Sequence, residues 1–143
     1  MPALRDASAA LLEARRERLG PLVHRRARHV IAENARVLDT VRLVREGEAR
    51  EIGGLITASH ASLRDDFEVS VPELDAIVEA AVGAGALGAR MVGGGFGGSA
   101  LALVPRELLP QVRDAISGTF AARGVPAPPV VEVVPSAPGH REA

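Results

Sequence analysis

Between positions 93 and 98, five of six residues are glycine. No other stretch limits the fold of this chain as strongly. Glycine loses more backbone freedom on folding than any other residue, so such a density is destabilising unless the backbone must turn sharply or pass very close to something. Apolar runs flank the cluster, Ala89-Arg90-Met91-Val92 before it and Ser99-Ala100-Leu101-Ala102-Leu103-Val104 after it. The pattern predicts strands over 89–92 and 99–104, joined by a glycine-rich turn. Successive amides in such a turn can point inward and form a concave, positively polarised nest for an anion such as phosphate. Taken alone, the cluster reads as a tight hairpin without a ligand, because a glycine pattern by itself is weak evidence.

The rest of the chain reads mainly as helix. Residues 7–19 form a charged amphipathic helix that Gly20-Pro21 breaks. A longer helix over 22–46 carries Val30, Ile31, Val37, Leu38, Val41 and Val44 at helical spacing, with Gly47 as its C-terminal cap. A third helix, 49–63, contains Gly53-Gly54, which weaken it and suggest close packing against another backbone. Ser70-Val71-Pro72-Glu73 has the form of a capping box, with Ser70 accepting from the Glu73 amide and the Glu73 side chain returning to the Ser70 amide. The helix that follows sets Leu74, Ile77, Val78, Ala81 and Val82 on one face and closes at Gly83 and Gly85. Pro105 and Pro110 each suit the first position of a helical segment, the second supported by Val112, Ile116 and Phe120 at four-residue spacing. A proline-rich linker over 126–129 leads to a strand over 130–134, and 135–143 reads as a frayed tail. Helices with a few antiparallel strands and a glycine hairpin give an α+β layer fold.

At 143 residues the chain has the size of one domain, and its 47% hydrophobic content lies in the soluble globular range. With three Phe and no Tyr or Trp, the core has to be built from Leu, Val, Ile and Ala. A net charge of −1 gives no nucleic-acid footprint. No apolar run has the length of a membrane span or the form of a signal peptide. Without cysteine there is no disulfide, thiolate nucleophile or thiolate metal site, which fits a cytoplasmic protein. All 17 basic residues are Arg, so no Lys is available for phosphate contact.

Several polar clusters invite chemistry. Ser59, His60, Ser62, Asp65 and Asp66 suggest a Ser-His-Asp set, but neighbours on one helix point in different directions and form no relay by themselves. Capping, docking or a substrate border are the roles expected of them. His29 and Glu33, four apart, read as a helix-surface pair, since no third ligand stands nearby for a metal. Arg25, Arg26 and Arg28 read as a solvated helix face, and His24 and His140 as isolated.

Three segments carry a resemblance. Gly88-Ala89-Arg90-Met91-Val92-Gly93-Gly94-Gly95-Phe96-Gly97-Gly98 resembles the third motif of the galactokinase branch of the GHMP sugar and metabolite kinases. Arg25-Arg26-Ala27-Arg28-His29-Val30-Ile31-Ala32-Glu33-Asn34 is similar to the helix that opens the family's C-terminal half. Ser59-His60-Ala61-Ser62-Leu63-Arg64-Asp65-Asp66-Phe67-Glu68-Val69-Ser70, with Pro72-Glu73-Leu74-Asp75, resembles another galactokinase signature. They stand in the family's order, and the resemblance, to the C-terminal half of a galactokinase, covers about 4–138.

The resemblance implies a ferredoxin-like α+β domain of the GHMP C-terminal type, with helices on one face of an antiparallel sheet. It implies a strand around 68–71, where the residues alone read as loop. The expected division is a helical lead-in over 1–21, the domain over 22–135 and a tail over 136–143. The implied activity is transfer of the ATP γ-phosphate to the 1-hydroxyl of galactose, with Mg2+. Gly93, Gly94, Gly95, Gly97 and Gly98 would place amides near the ATP phosphates, or else buttress the phosphate loop of the other half. Val92, Phe96, Ser99, Ser59 and His60 would border the substrate site, Phe96 as a packing wedge. No catalytic residue and no metal ligand is assigned here. The sugar-recognition motif, the glycine- and serine-rich phosphate loop and the catalytic Asp with its Arg partner are not found, so an N-terminal half in cis or in trans is the expected partner, with ATP and galactose. Val92 replaces a usual Thr, and Ser99 a frequent Cys. The alternatives are a non-catalytic ligand-binding or interaction module on the same fold, and half of another GHMP sugar kinase, such as one acting on N-acetylgalactosamine.

Overall fold

The structure is a computed structural model that describes residues 3–134 and Ala137. After a 3-10 turn at Leu4–Asp6 comes a short helix, α1 (Ala9–Ala14), whose N-terminus is capped by Ser8 Oγ accepting from the Leu11 amide at 3.1 Å. Arg15 leaves helical geometry at φ −110°, ψ 5°, a break that nothing in the sequence marks. The long helix α2 (Arg16–Arg45) follows. Gly20 bends it with φ 70° and ψ 162°, and Pro21 resumes helix, so the predicted break survives as a kink. Gly47 ends α2 in a Schellman motif: its amide donates to Val44 O at 3.2 Å and the Glu48 amide to Leu43 O at 2.9 Å.

Helix α3 (Ile52–Ser62) runs into a π-helical turn, Leu63–Phe67, which stops at Glu68 in the left-handed region. Helix α4 (Pro72–Gly83) carries Pro72 in its first turn, where a missing amide costs nothing. The capping box is not formed. Val71 occupies the cap position, and the Ser70 hydroxyl donates to Asp75 Oδ1 at 2.5 Å. Helix α5 (Leu109–Ala122) buries Val112, Ile116 and Phe120 as their spacing requires.

Strands β1 (Gly88–Val92) and β2 (Ser99–Leu103) pair antiparallel, with Ala89 opposite Ala102, Met91 opposite Ala100 and Val92 opposite Ser99. Ala89, Met91, Ala100 and Ala102 therefore share the inner face. That face meets α4 and α5, where Ala76, Val78, Ala81, Val112, Ile116 and Phe120 form the main core. Met91 closes a second cluster with Leu63 and Leu74. Small side chains on the strands let the helices approach closely, so a core with few aromatics still packs.

Helix α3 lies along the outer edge of β1. The Ala89 amide donates to Thr57 Oγ1 at 3.3 Å and the Met91 amide to His60 Nδ1 at 3.2 Å. The contact is tight because Gly53 and Gly88 meet backbone to backbone. A Cβ on Gly53 would fall on the Leu87 carbonyl, and one on Gly88 on the Gly53 carbonyl. The close packing expected of Gly53 is thus against the start of β1. The strand expected over 130–134 is not formed. Val130 packs onto the core, but Val131, Val133 and Val134 stay exposed. Residues 68–71 likewise form no regular strand.

Candidate functional site

The turn between β1 and β2 is built almost wholly from the left-handed half of backbone space. Gly93 (φ 95°), Gly95 (89°), Gly97 (128°) and Gly98 (96°) have positive φ, and so does Phe96 at 60°. Phe96 carries the conformation with a large side chain, which stands 76% exposed rather than wedged into the core. One hydrogen bond ties the tip down, from the Phe96 amide to Val69 O at 2.8 Å. Gly95 fits there because it lacks a side chain: a Cβ would lie 2.6 Å from Val69 O and 2.7 Å from Val69 Cβ. Among the described residues the amides of Gly93, Gly94, Gly95, Gly97 and Gly98 donate to no protein acceptor. The turn therefore offers a group of unpaired N–H donors on a short, anchored hairpin, which is what an anion requires of backbone. A cavity of about 330 Å³ opens beside it, lined by Val71, Leu74, Ile77, Gly97, Gly98 and Phe120 among others.

The base of the hairpin rests on buried polar side chains. His60 is 3% exposed. Its Nδ1 accepts from Met91, so the ring proton sits on Nε2, which lies 3.1 Å from Asp75 Oδ1. That approach is oblique, and the attraction is electrostatic more than a well-formed hydrogen bond. Burial pushes the His60 pKa down, against the pull of Asp75 and with the help of Arg64 and Arg90. Ser59 is equally buried, and its hydroxyl donates to Glu33 Oε2 at 2.7 Å. Glu33 also pairs with Arg36 at 2.5 Å and with Arg90 of β1 at 3.4 Å. Burial would raise the Glu33 pKa, but the bonds from Ser59 and Arg36 and the charges of Arg36 and Arg90 outweigh it and hold the carboxyl low.

A second cluster fixes the turn that leads toward Val69. Asp66 accepts from Arg28, whose Nε lies 3.1 Å from Oδ2, and from Ser62 Oγ at 3.3 Å. Arg26 grips the Asp66 carbonyl and the Glu68 carboxylate, and Arg25 meets Glu68 at 2.9 Å. The Arg28 bond holds the Asp66 pKa below its usual value, despite burial. His29 Nδ1 lies 3.0 Å from Ser62 Oγ, and its ring stacks on Phe67 with centroids 4.6 Å apart. Burial pushes the His29 pKa down.

Three expectations change here, and a fourth, that no nucleophilic relay forms, does not. The arginines remain partly exposed but are not a free solvated face, since they clamp the 66–68 turn. His29 and Glu33 are not a surface pair, since both turn inward to α3. His24 is not isolated, lying 3.3 Å from Glu13. His29, Ser62 and Asp66 do come together, from two elements, yet Asp66 holds the serine and not the histidine, so no nucleophilic relay forms. His140 lies outside the described residues. Asp75 and Asp66 are the hubs that sequence reasoning missed. Each joins groups distant in sequence, and only the acidic positions inside the Asp65-Asp66 and Pro72-to-Asp75 segments hinted at them.

Comparison with known proteins places this geometry. A profile of the family described as GHMP kinases C terminal matches residues 40–122, from the end of α2 through α5. The chain belongs to the GHMP kinase C-terminal family. It is 51% identical over 141 residues to the galactokinase of Streptomyces coelicolor, a match that covers 97% of this chain and 36% of that protein. The galactokinase of Streptomyces lividans is 48% identical over 142 residues, with 96% of this chain and 36% of that protein covered. Among solved structures, Lactococcus lactis galactokinase complexed with galactose superposes with a TM-score of 0.81 at 38% identity, over 90% of this chain and 34% of that one. The chain thus spans about a third of the length of the relatives it matches, and corresponds to their C-terminal part. No helix among the described residues is long and apolar enough to cross a membrane.

Proposed function

We propose that this chain is the C-terminal part of an ATP-dependent galactose kinase and works with an N-terminal half supplied in cis or in trans. The observation that carries the reading is the anchored turn at 93–98, with its unpaired amides, in a chain about half identical to two galactokinases. The reaction moves the γ-phosphoryl group of ATP to the 1-hydroxyl of galactose. Such transfer depends on positioning and on stabilising negative charge, and fixed backbone dipoles do this without reorganising during the step. In this reading Gly93, Gly94, Gly95, Gly97 and Gly98 present donors to the nucleotide phosphates or to the transferred group. Val92 and Ser99, opposite one another at the neck of the hairpin, border the acceptor together with Phe96. Ser59 and His60, both buried, serve that border from beneath by supporting β1. Mg2+ enters with ATP and screens its phosphates. Its protein ligands, the general base and most sugar contacts belong to the N-terminal half.

One observation favours a second reading, a binding module without turnover. Val92 stands where the resembling motif has Thr, so any hydrogen bond from that hydroxyl is lost. ADP release with MgATP and galactose decides between the two. The kinase reading expects silence from the chain alone and turnover after a galactokinase N-terminal half is added. Silence in both, with saturable ATP binding, supports the module. Turnover by the chain alone overturns the assignment of the catalytic groups to the other half.

A further inference from the structure

We propose that Asp75 is the positioning residue of the glycine turn, fixing both of its anchors at once through His60 and Ser70. Outside its own pairing the hairpin is held through the amides of Ala89, Met91 and Phe96, and the last two lie nearest the glycine turn. At the base, the Met91 amide donates to His60 Nδ1 at 3.2 Å, and at the tip the Phe96 amide donates to Val69 O at 2.8 Å. Asp75 reaches both supports with one oxygen. Its Oδ1 lies 3.1 Å from His60 Nε2 and accepts from Ser70 Oγ at 2.5 Å. His60 belongs to α3, Ser70 follows Val69 in the chain, and Asp75 sits in the first turn of α4. Three elements thus converge on one carboxylate, and each hands its position on to the hairpin. Ring orientation is the point at which this acts on Met91. The Met91 amide needs an imidazole nitrogen in the plane of its N–H, and Asp75 Oδ1, packed 3.1 Å from Nε2, limits how far the ring can turn out of that plane. Ser70 acts on the tip in the same way, because a hydroxyl fixed to α4 fixes the peptide that carries Val69 O. The Ala89 amide provides a built-in reference, since it is held by Thr57 and not through Asp75.

The functional meaning of the proposal rests on the reading of the turn as the phosphate-facing element, but its test does not. Amide hydrogen exchange, read residue by residue by NMR on the purified chain, reports Met91, Phe96 and Ala89 separately. Asp75→Ala is expected to speed exchange at Met91 and Phe96 by about three- to tenfold, the worth of a lost hydrogen bond, and to leave Ala89 unchanged. Asp75→Asn keeps the shape and an acceptor oxygen and is expected to restore most of the protection. Ser70→Ala speeds Phe96 alone, and it decides the matter if Asp75→Ala does not fold. Wild-type rates at both amides in Asp75→Ala, an equal increase at Ala89, or an unchanged Phe96 in Ser70→Ala each overturns the proposal. A separate titration with MgATP reads shifts at the turn. With a galactokinase N-terminal half present, no shift there sinks the phosphate reading while leaving the exchange result to stand on its own.

Discussion

Gly95 and Gly97 share a left-handed backbone but not the same surroundings, and a single methyl group separates them. At Gly95 the added Cβ meets Val69 O at 2.6 Å, whereas at Gly97 it meets nothing within 4 Å. Gly97→Ala is expected to cost about 1–2 kcal/mol, from backbone strain alone. Gly95→Ala adds the collision and is expected to cost about 2–4 kcal/mol. Urea unfolding of the two variants checks the order, and equal losses would count against the Val69 contact. Titration belongs to the same scale. His29 and His60 have pKa values pushed below 6.5 by burial. Between those lowered values and 6.5 the unfolded chain binds more protons than the folded one, so stability is fully present above 6.5 and falls as pH drops below it. Glu33 and Asp66, held below 4.5 and 3.8 by their hydrogen-bond partners, add a second loss as pH falls through their own range. Urea midpoints measured from pH 8 to pH 2 are expected to decline in these two stages, the second only below about pH 4.5, and a flat profile between pH 8 and pH 5 would contradict the buried neutral histidines.

Elements were legible where local rules decide them. Gly47 declared the end of α2, and Gly47→Ala is expected to cost about 1 kcal/mol because φ 80° is unfavourable for a side chain that meets no other obstacle. Circular dichroism melting reads that loss. The glycine hairpin, its two strands and the buried row Val112, Ile116, Phe120 also followed from spacing and glycine chemistry alone. What failed did so because a distant partner outbid a local one. Ser70 had the spacing of a cap for Glu73, yet it bonds to Asp75. Residues 130–134 had strand composition but pair with neither strand of the sheet. Arg25, Arg26 and Arg28 looked solvated because Asp66 and Glu68 lie about forty residues further along. The π-helical turn and the left-handed Glu68 have no signature in composition, and they place Val69 under the glycine turn. Arg28→Ala tests that chain of support: it is expected to cost about 1–2 kcal/mol by leaving Asp66 half-paired, measured by urea unfolding.

At the scale of the molecule, one face of α2 is left largely uncovered by the described residues. Val37, Leu38, Val41 and Val44 are 58%, 64%, 41% and 53% exposed. An apolar patch of this kind marks a surface that is covered in use. The isolated chain is expected to self-associate, and Leu38→Glu to reduce that association without changing the fold, as sedimentation velocity and circular dichroism would show. Addition of a galactokinase N-terminal half is expected to suppress it as well. The contact between α3 and β1 has a different reach, into what variation the chain can accept. Gly53 and Gly88 press on each other's peptide units, and both already carry the smallest side chain available. A change at one cannot be relieved by a smaller residue at the other, so the pair has no compensatory route. In a library sampling every substitution, these two positions are expected to tolerate none, singly or together, and the hairpin's distance from α3 is thereby closed to gradual adjustment.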